Sequence, residues 1–160
     1  MRKEASMRED VVIRPMQAED VSAICAIEQA SFSDPWSAEG FLNSLANERA
    51  ICLSAICEGE PVGYALLYTV LDEADLVNIA VAEQMRQCGI GRALLKEVIL
   101  QAKEKGVLKI FLEVRKSNYR ARLLYGSFGF LTLSVRKGFY EKPKEDAICM
   151  MLPLERAIIK

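Results

Sequence analysis

Leu76-Val77-Asn78-Ile79-Ala80-Val81, followed four residues later by Arg86-Gln87-Cys88-Gly89-Ile90-Gly91-Arg92-Ala93-Leu94-Leu95, carries the fold. The first run is almost wholly apolar and reads as a buried strand. The second opens a helix from Ile90 to Lys105. Leu94, Leu95, Val98, Ile99 and Ala102 lie on one of its faces, and Gly106 stands just past its end. Val107 to Val114 is a second buried-type strand. A strand, a helix and a strand in succession predict parallel pairing across residues 76–114.

Working outward, Val11–Arg14 reads as a strand stopped by Pro15. Ala18–Ala30 reads as a helix with Val21, Ile24, Ile27 and Ala30 on one face, opened by acidic Glu19 and Asp20. Ser31 to Trp36 is a loop, and Ser37 caps a short helix to about Ala46. Ala50–Cys57 and Val62–Val70 form a hairpin across Glu58-Gly59-Glu60-Pro61. A short helix spans Asn118–Ser127, closed by Gly129. Phe130–Val135 and Ala147–Leu152 are the last two strands. The order β-α-α-β-β-β-α-β-α-β-β is that of an α+β chain with a mixed sheet of about seven strands and about four helices. A single domain is expected over residues 1–160, with residues 1–10 a flexible N-terminal extension.

Composition narrows the chemistry. The 160 residues contain no histidine, which excludes Ser-His-Asp and Cys-His catalysis and His-ligated metals. The longest apolar stretch, around Tyr64 to Leu71, is far short of the roughly 20 residues of a membrane helix. The first ten residues lack the apolar region of a signal peptide. Five cysteines without CxxC spacing, four of them inside apolar runs, predict reduced, mostly buried thiols and a cytoplasmic protein. A monomer is expected, with no metal, no membrane and no nucleic-acid partner. The pI of about 5.7 accords with the last point. Charge is uneven: residues 1–80 hold 5 Lys/Arg against 14 Asp/Glu, net −9, and residues 81–160 hold 16 against 8, net +8. This is either a complementary interface within the fold or a pair of ligand sites of opposite sign.

Glycines in Arg86–Gly91 let backbone N–H groups converge at a helix N-terminus, where an anion is stabilised. Arg86 and Arg92 add side-chain charge. The pattern is neither a Walker A loop nor a Rossmann fingerprint, and a tight turn without ligand is the alternative. Glu113 ends an apolar strand expected to be covered on both faces. It either faces a cleft as a desolvated base with a raised pKa, or pairs with Arg115 or a helix arginine. Tyr125 falls on the apolar face of its helix, the place of a core tyrosine. Asn118 suits a helix N-cap. Cys88 stands at a helix N-terminus without a histidine partner.

Taken together, the segments 76–81 and 86–95 resemble the acetyl-CoA-binding core of the GNAT N-acetyltransferases. Leu112-Glu113-Val114-Arg115-Lys116-Ser117-Asn118, Leu124-Tyr125 and Phe128-Gly129-Phe130 are similar, more narrowly, to the RimI branch. Its members acetylate protein N-termini, in bacteria the N-terminal alanine of a small-subunit ribosomal protein. Leu71–Ala74 and Phe32–Ser37 also resemble that branch, and the likeness spans roughly residues 11–153. It implies a sheet splayed between the strands at 76–81 and 108–114, with pantetheine along Ile79, Ala80 and Val81 and the Val81 N–H facing the thioester carbonyl. It implies that Arg86, Gln87, Cys88, Gly89, Ile90, Gly91 and Arg92 hold the pyrophosphate and that Asn118 contacts the pantetheine arm. Glu113 would be the base and Tyr125 the acid. Trp36, Asp72, Glu73 and Tyr140 are assigned to the acceptor, a basic ribosomal-protein N-terminus drawn to the acidic half. Phe139-Tyr140, in the expected loop before the last strand, stands where a Tyr pair is common. An acetyltransferase for a polyamine or aminoglycoside, and a non-catalytic acyl-CoA sensor, are the alternatives.

Overall fold

The computed structural model describes residues 10–155; the expected N-terminal extension lies, but for Asp10, outside them. Seven strands form one sheet: β1 (Val11–Pro15), β2 (Ala50–Cys57), β3 (Glu60–Val70), β4 (Glu73–Val81), β5 (Lys109–Arg115), β6 (Leu131–Glu141) and β7 (Lys144–Pro153). Four α-helices join them: α1 (Val21–Ser31), α2 (Ala38–Leu45), α3 (Ile90–Glu104) and α4 (Tyr119–Ser127). The spatial order is β1-β2-β3-β4-β5-β7-β6, parallel between β4 and β5 and antiparallel elsewhere. The expected α+β class and mixed sheet are those observed. No helix among the described residues is long and apolar enough to cross a membrane.

Alternation along β3 assigns the two faces. Tyr64 and Leu66 join Ile24, Ile27 and Phe41 under α1 and α2, whereas Ala65 and Leu67 join Leu94, Leu95 and Val98 under α3. Gly63 of β3 packs closely against the start of α3. A Cβ there would stand 3.1 Å from the Ala80 carbonyl oxygen and 3.3 Å from Ile90 and Leu94. The sequence-derived caps hold: the Ser37 hydroxyl accepts from the Gly40 N–H, and the Asn118 side chain accepts from the Ala121 N–H.

Three expectations need correction. β5 alternates instead of being covered on both faces: Ile110, Leu112 and Val114 are buried and Glu113 is exposed, because α1 and α2 pack mainly over β2, β3 and β4. The last hairpin runs past its apolar stretches, to Glu141 and from Lys144, so Phe139 and Tyr140 lie in β6 and not in a loop. β6 is an edge strand with mostly exposed residues, so burial imposes no apolar alternation on it. None of the five cysteines is in a disulfide, but of them only Cys57 is buried; Cys25, Cys52, Cys88 and Cys149 are half-buried.

Candidate active site

The parallel ladder between β4 and β5 consists of Glu73↔Lys109, Ala74↔Ile110 and Asp75↔Phe111. β4 continues for six more residues, about 20 Å of extended chain, paired with β3 as far as Gly63↔Val81. β5 meanwhile follows β7 to Arg115↔Ala147. The two strands therefore part, and a cavity of about 630 Å³ opens at the end of β4.

Its wall brings together Ile79, Ala80 and Val81 from β4, Arg86, Gln87 and Gly89 from the loop, and Ile90, Gly91 and Arg92 from the first turn of α3. Asn118, Ala121, Leu124 and Tyr125 line it from α4, and Ser31 and Phe32 from the end of α1. Cys88 is the one expected loop residue outside the lining; its thiol points back to the Arg86 carbonyl at 3.7 Å. The loop turns through positive φ at Gln87 (65°) and Gly89 (78°), the latter capping α3. The first N–H groups of α3 have no carbonyl partner within the helix and carry its positive end. Arg92 donates to the Ser127 hydroxyl at 3.2 Å and lies over the Phe128 ring, tying α3 to α4. Arg86 turns back to the Val81 carbonyl. At Gly91 a Cβ would project between Val81 and Leu124, 3.8 Å from each.

Tyr125 is buried, 7% exposed, against Phe130 with ring centroids 5.6 Å apart. Burial, with a smaller contribution from Tyr140, pushes its phenol well above the ordinary tyrosine range. Tyr140 is raised by burial and then by Glu113, so the field of Glu113 reaches Tyr140 and that of Tyr140 reaches Tyr125. The desolvation expected for Glu113 is not found. Its side chain is 42% exposed, with the 60%-exposed Arg136 guanidinium of β6, not Arg115 or a helix arginine, 3.6 Å away. Arg115 is engaged elsewhere, above all with the β6–β7 turn.

A profile of the Acetyltransferase (GNAT) family matches residues 21–130. The chain belongs to this family. It is 42% identical over 142 residues to the [Ribosomal protein bS18]-alanine N-acetyltransferase of Haemophilus influenzae, covering 87% of this chain and 96% of that one. The crystal structure of the ribosomal-protein-S18-alanine N-acetyltransferase from Escherichia coli superposes with a TM-score of 0.84 at 37% identity, over 92% of this chain and 96% of that one. The Arabidopsis thaliana NAA60 structure in complex with acetyl-CoA shares the fold, with a TM-score of 0.82 at 19% identity, over 90% of this chain and 99% of that one.

Within this GNAT fold the four expected acceptor residues divide. Tyr140 lies under the Arg115 guanidinium, 4.3 Å from its ring centre, within electrostatic reach of Tyr125 and Glu113. Trp36 packs on Phe41 in the loop after α1. Glu73 begins β4, six residues from Ile79, and Asp72, just before the strand, borders a separate cavity with Lys103 and Glu104. Residues the sequence did not single out are also here. Glu28 of α1 is 1% exposed. It accepts from the Tyr64 hydroxyl and from the Asn78 amide at 2.5 and 2.9 Å, and the backbone N–H of Trp36 also favours its charged form. Burial raises its carboxyl above the usual range. Glu28 thus pins the loop after α1 to β4 beside Ile79. Ser31, in the cavity wall, has a buried hydroxyl without a hydrogen-bond partner. A glutamate three residues before a serine carries no sequence signal for either role; their neighbours come from β3, β4 and the loop after α1.

Proposed function

We propose that this chain is an Nα-acetyltransferase. It moves the acetyl group of acetyl-CoA onto the N-terminal alanine amine of a small-subunit ribosomal protein, by direct attack in a ternary complex. One observation carries the reading. The gap between β4 and β5 leads from an anion-suited loop at the start of α3 to Tyr125, with Glu113 and Tyr140 beyond it. The activity for which the 42%-identical Haemophilus influenzae relative is named supports the acceptor.

The residues fit acetyl-CoA. The glycine loop and the start of α3 offer converging N–H groups to a diphosphate, and the absent Cβ of Gly91 keeps the space between Val81 and Leu124 open. Ile79, Ala80 and Val81 would hold the pantetheine arm, Arg86 to Arg92 the diphosphate, and Asn118 the arm from α4. Bound acetyl-CoA supplies the electrophile: the amine nitrogen forms a C–N bond, the C–S bond breaks, and one proton leaves nitrogen while one reaches sulfur. An α-amine with a pKa near 8 is about a tenth neutral at pH 7, so a carboxylate with access to water serves as its base. Glu113, half-open to solvent, accepts that proton directly or through a water. Tyr125, its phenol held above the ordinary range by burial, stays protonated at neutral pH and donates to sulfur. The Val81 N–H polarises the carbonyl.

The test mixes the protein and acetyl-CoA with a basic Ala-starting peptide, its N-blocked form, and spermidine, and follows free thiol. Thiol release with the unblocked peptide alone is expected. Release with spermidine would indicate a small-amine enzyme, and binding without release a sensor.

A further inference from the structure

Arg115 ends β5, two residues beyond Glu113 on the same face of the strand. Its guanidinium is spread over two separate pieces of chain. One terminal nitrogen donates to the Pro143 carbonyl at 2.9 Å and to Glu145 at 3.3 Å. The other donates to the Lys142 carbonyl and to the Ser33 hydroxyl, each at 3.2 Å. The charged plane also lies 4.3 Å from the centre of the Tyr140 ring. Glu145 in turn accepts from the Ser117 N–H at 2.6 Å, which joins the turn to the start of α4.

These contacts converge on the side of the cavity away from the phosphate loop. Ser33 follows Ser31 and Phe32, which line the cavity from α1. The 142–145 turn ends the edge hairpin that carries Tyr140. The register of β6 on β7 slips between Arg136 and Tyr140, where Gly138 takes a φ of 63° and its N–H is held by Asp146 at 2.9 Å. Such a slip re-aims the residues after it, here bringing Tyr140 over Arg115. We propose that Arg115 is a positioning residue for the acceptor: one guanidinium straps the loop after α1 and the β6–β7 turn to β5, setting the walls between which the peptide N-terminus enters. The proposal rests on the functional reading above and adds to it the device that shapes the acceptor side.

The strap acts through pre-organisation. Exposed loops that must be ordered when a peptide binds weaken that binding. The phosphate loop and α3 make none of these contacts, so acetyl-CoA binding changes far less than peptide binding. Lysine does not replace the arginine, because a single ammonium cannot reach three carbonyl and carboxylate acceptors and a hydroxyl while stacking on a ring.

The experiment compares wild type, Arg115→Lys, Arg115→Ala and the milder Ser33→Ala, with an Ala-starting basic peptide as acceptor. The readouts are peptide KM, kcat and the acetyl-CoA Kd by direct titration. Arg115→Lys and Arg115→Ala should raise peptide KM by about tenfold, and Ser33→Ala by less, with the acetyl-CoA Kd within about twofold of wild type. Added methylguanidinium should lower the raised KM of Arg115→Ala, and methylammonium should not. An unchanged peptide KM, or an acetyl-CoA Kd that rises by the same factor as KM, overturns the proposal. Wild type that binds acetyl-CoA but acetylates no peptide overturns the functional reading itself, and the strap with it.

Discussion

Gly91 offers the sharpest separation of stability from ligand binding. It is the second residue of α3, and a Cβ built on it would meet only Val81 and Leu124, at 3.8 Å, an ordinary van der Waals distance. Gly91→Ala should therefore fold without strain. Replacing glycine in a helix by alanine gains about 0.5–1 kcal/mol, which for a chain of this size raises Tm by about 1–4 °C. Gly91→Leu sends three further carbons between the end of β4 and α4, into the space assigned to the diphosphate end of acetyl-CoA. A tenfold loss of affinity is about 1.4 kcal/mol, and a larger loss is expected from steric exclusion. The assay is thermal melting with and without acetyl-CoA. At a ligand concentration of about 100 Kd the wild type gains about 2.7 kcal/mol, or roughly 5–11 °C. Gly91→Leu should lose half of that shift or more while its ligand-free Tm stays near wild type. Gly89→Ala is the contrast: a φ of 78° costs an L-residue about 1–2 kcal/mol, so its ligand-free Tm falls. A Gly91→Leu protein that keeps the full acetyl-CoA shift refutes the assignment of the cavity.

Glu113→Gln and Tyr125→Phe should each lower kcat about 100-fold with acetyl-CoA Kd nearly unchanged; a Glu113→Gln enzyme with full rate across pH 6–9 means that another group is the base. Asp20 is buried and, although burial alone would raise its carboxyl, bonds from Arg14 at 2.7 and 2.9 Å, the Gln17 N–H and the Ser54 hydroxyl hold it below the ordinary range. Its stabilisation is thus present above pH ~4 and lost as pH falls through the lowered pKa. Asp20→Asn should cost about 2 kcal/mol at pH 7, and melting from pH 7 to 2 should show the gap to wild type closing below pH ~4. Ser31→Ala removes a buried hydroxyl without a partner and should stabilise the ligand-free protein by about 1 kcal/mol, or about 2–4 °C in Tm; a fall in Tm would show the hydroxyl to be satisfied.

The number, kind and order of the elements were legible in the residues, and so was the glycine loop that lines the cavity at the start of α3. Apolar period and glycine placement act over a few neighbouring residues, and the backbone of Ile90–Glu104 or Ala50–Cys57 answers to them directly. Of the eleven residues expected around acetyl-CoA, ten lie on one strand, loop and helix start, and nine of these reach the cavity wall together; Asn118 arrives as the cap of α4, and Cys88 alone turns away. Tertiary structure decided what faces what. Glu113 is open to water because α1 packs mainly over β3 and β4, and Asp72 and Glu73 are remote because β4 is extended between them and Ile79. Glu28 and Arg115 find their hydrogen-bond partners up to 50 residues away for one and 82 for the other. Burial and hydrogen bonding belong to pairs of segments that meet only on folding, and a one-dimensional pattern does not encode which segments meet.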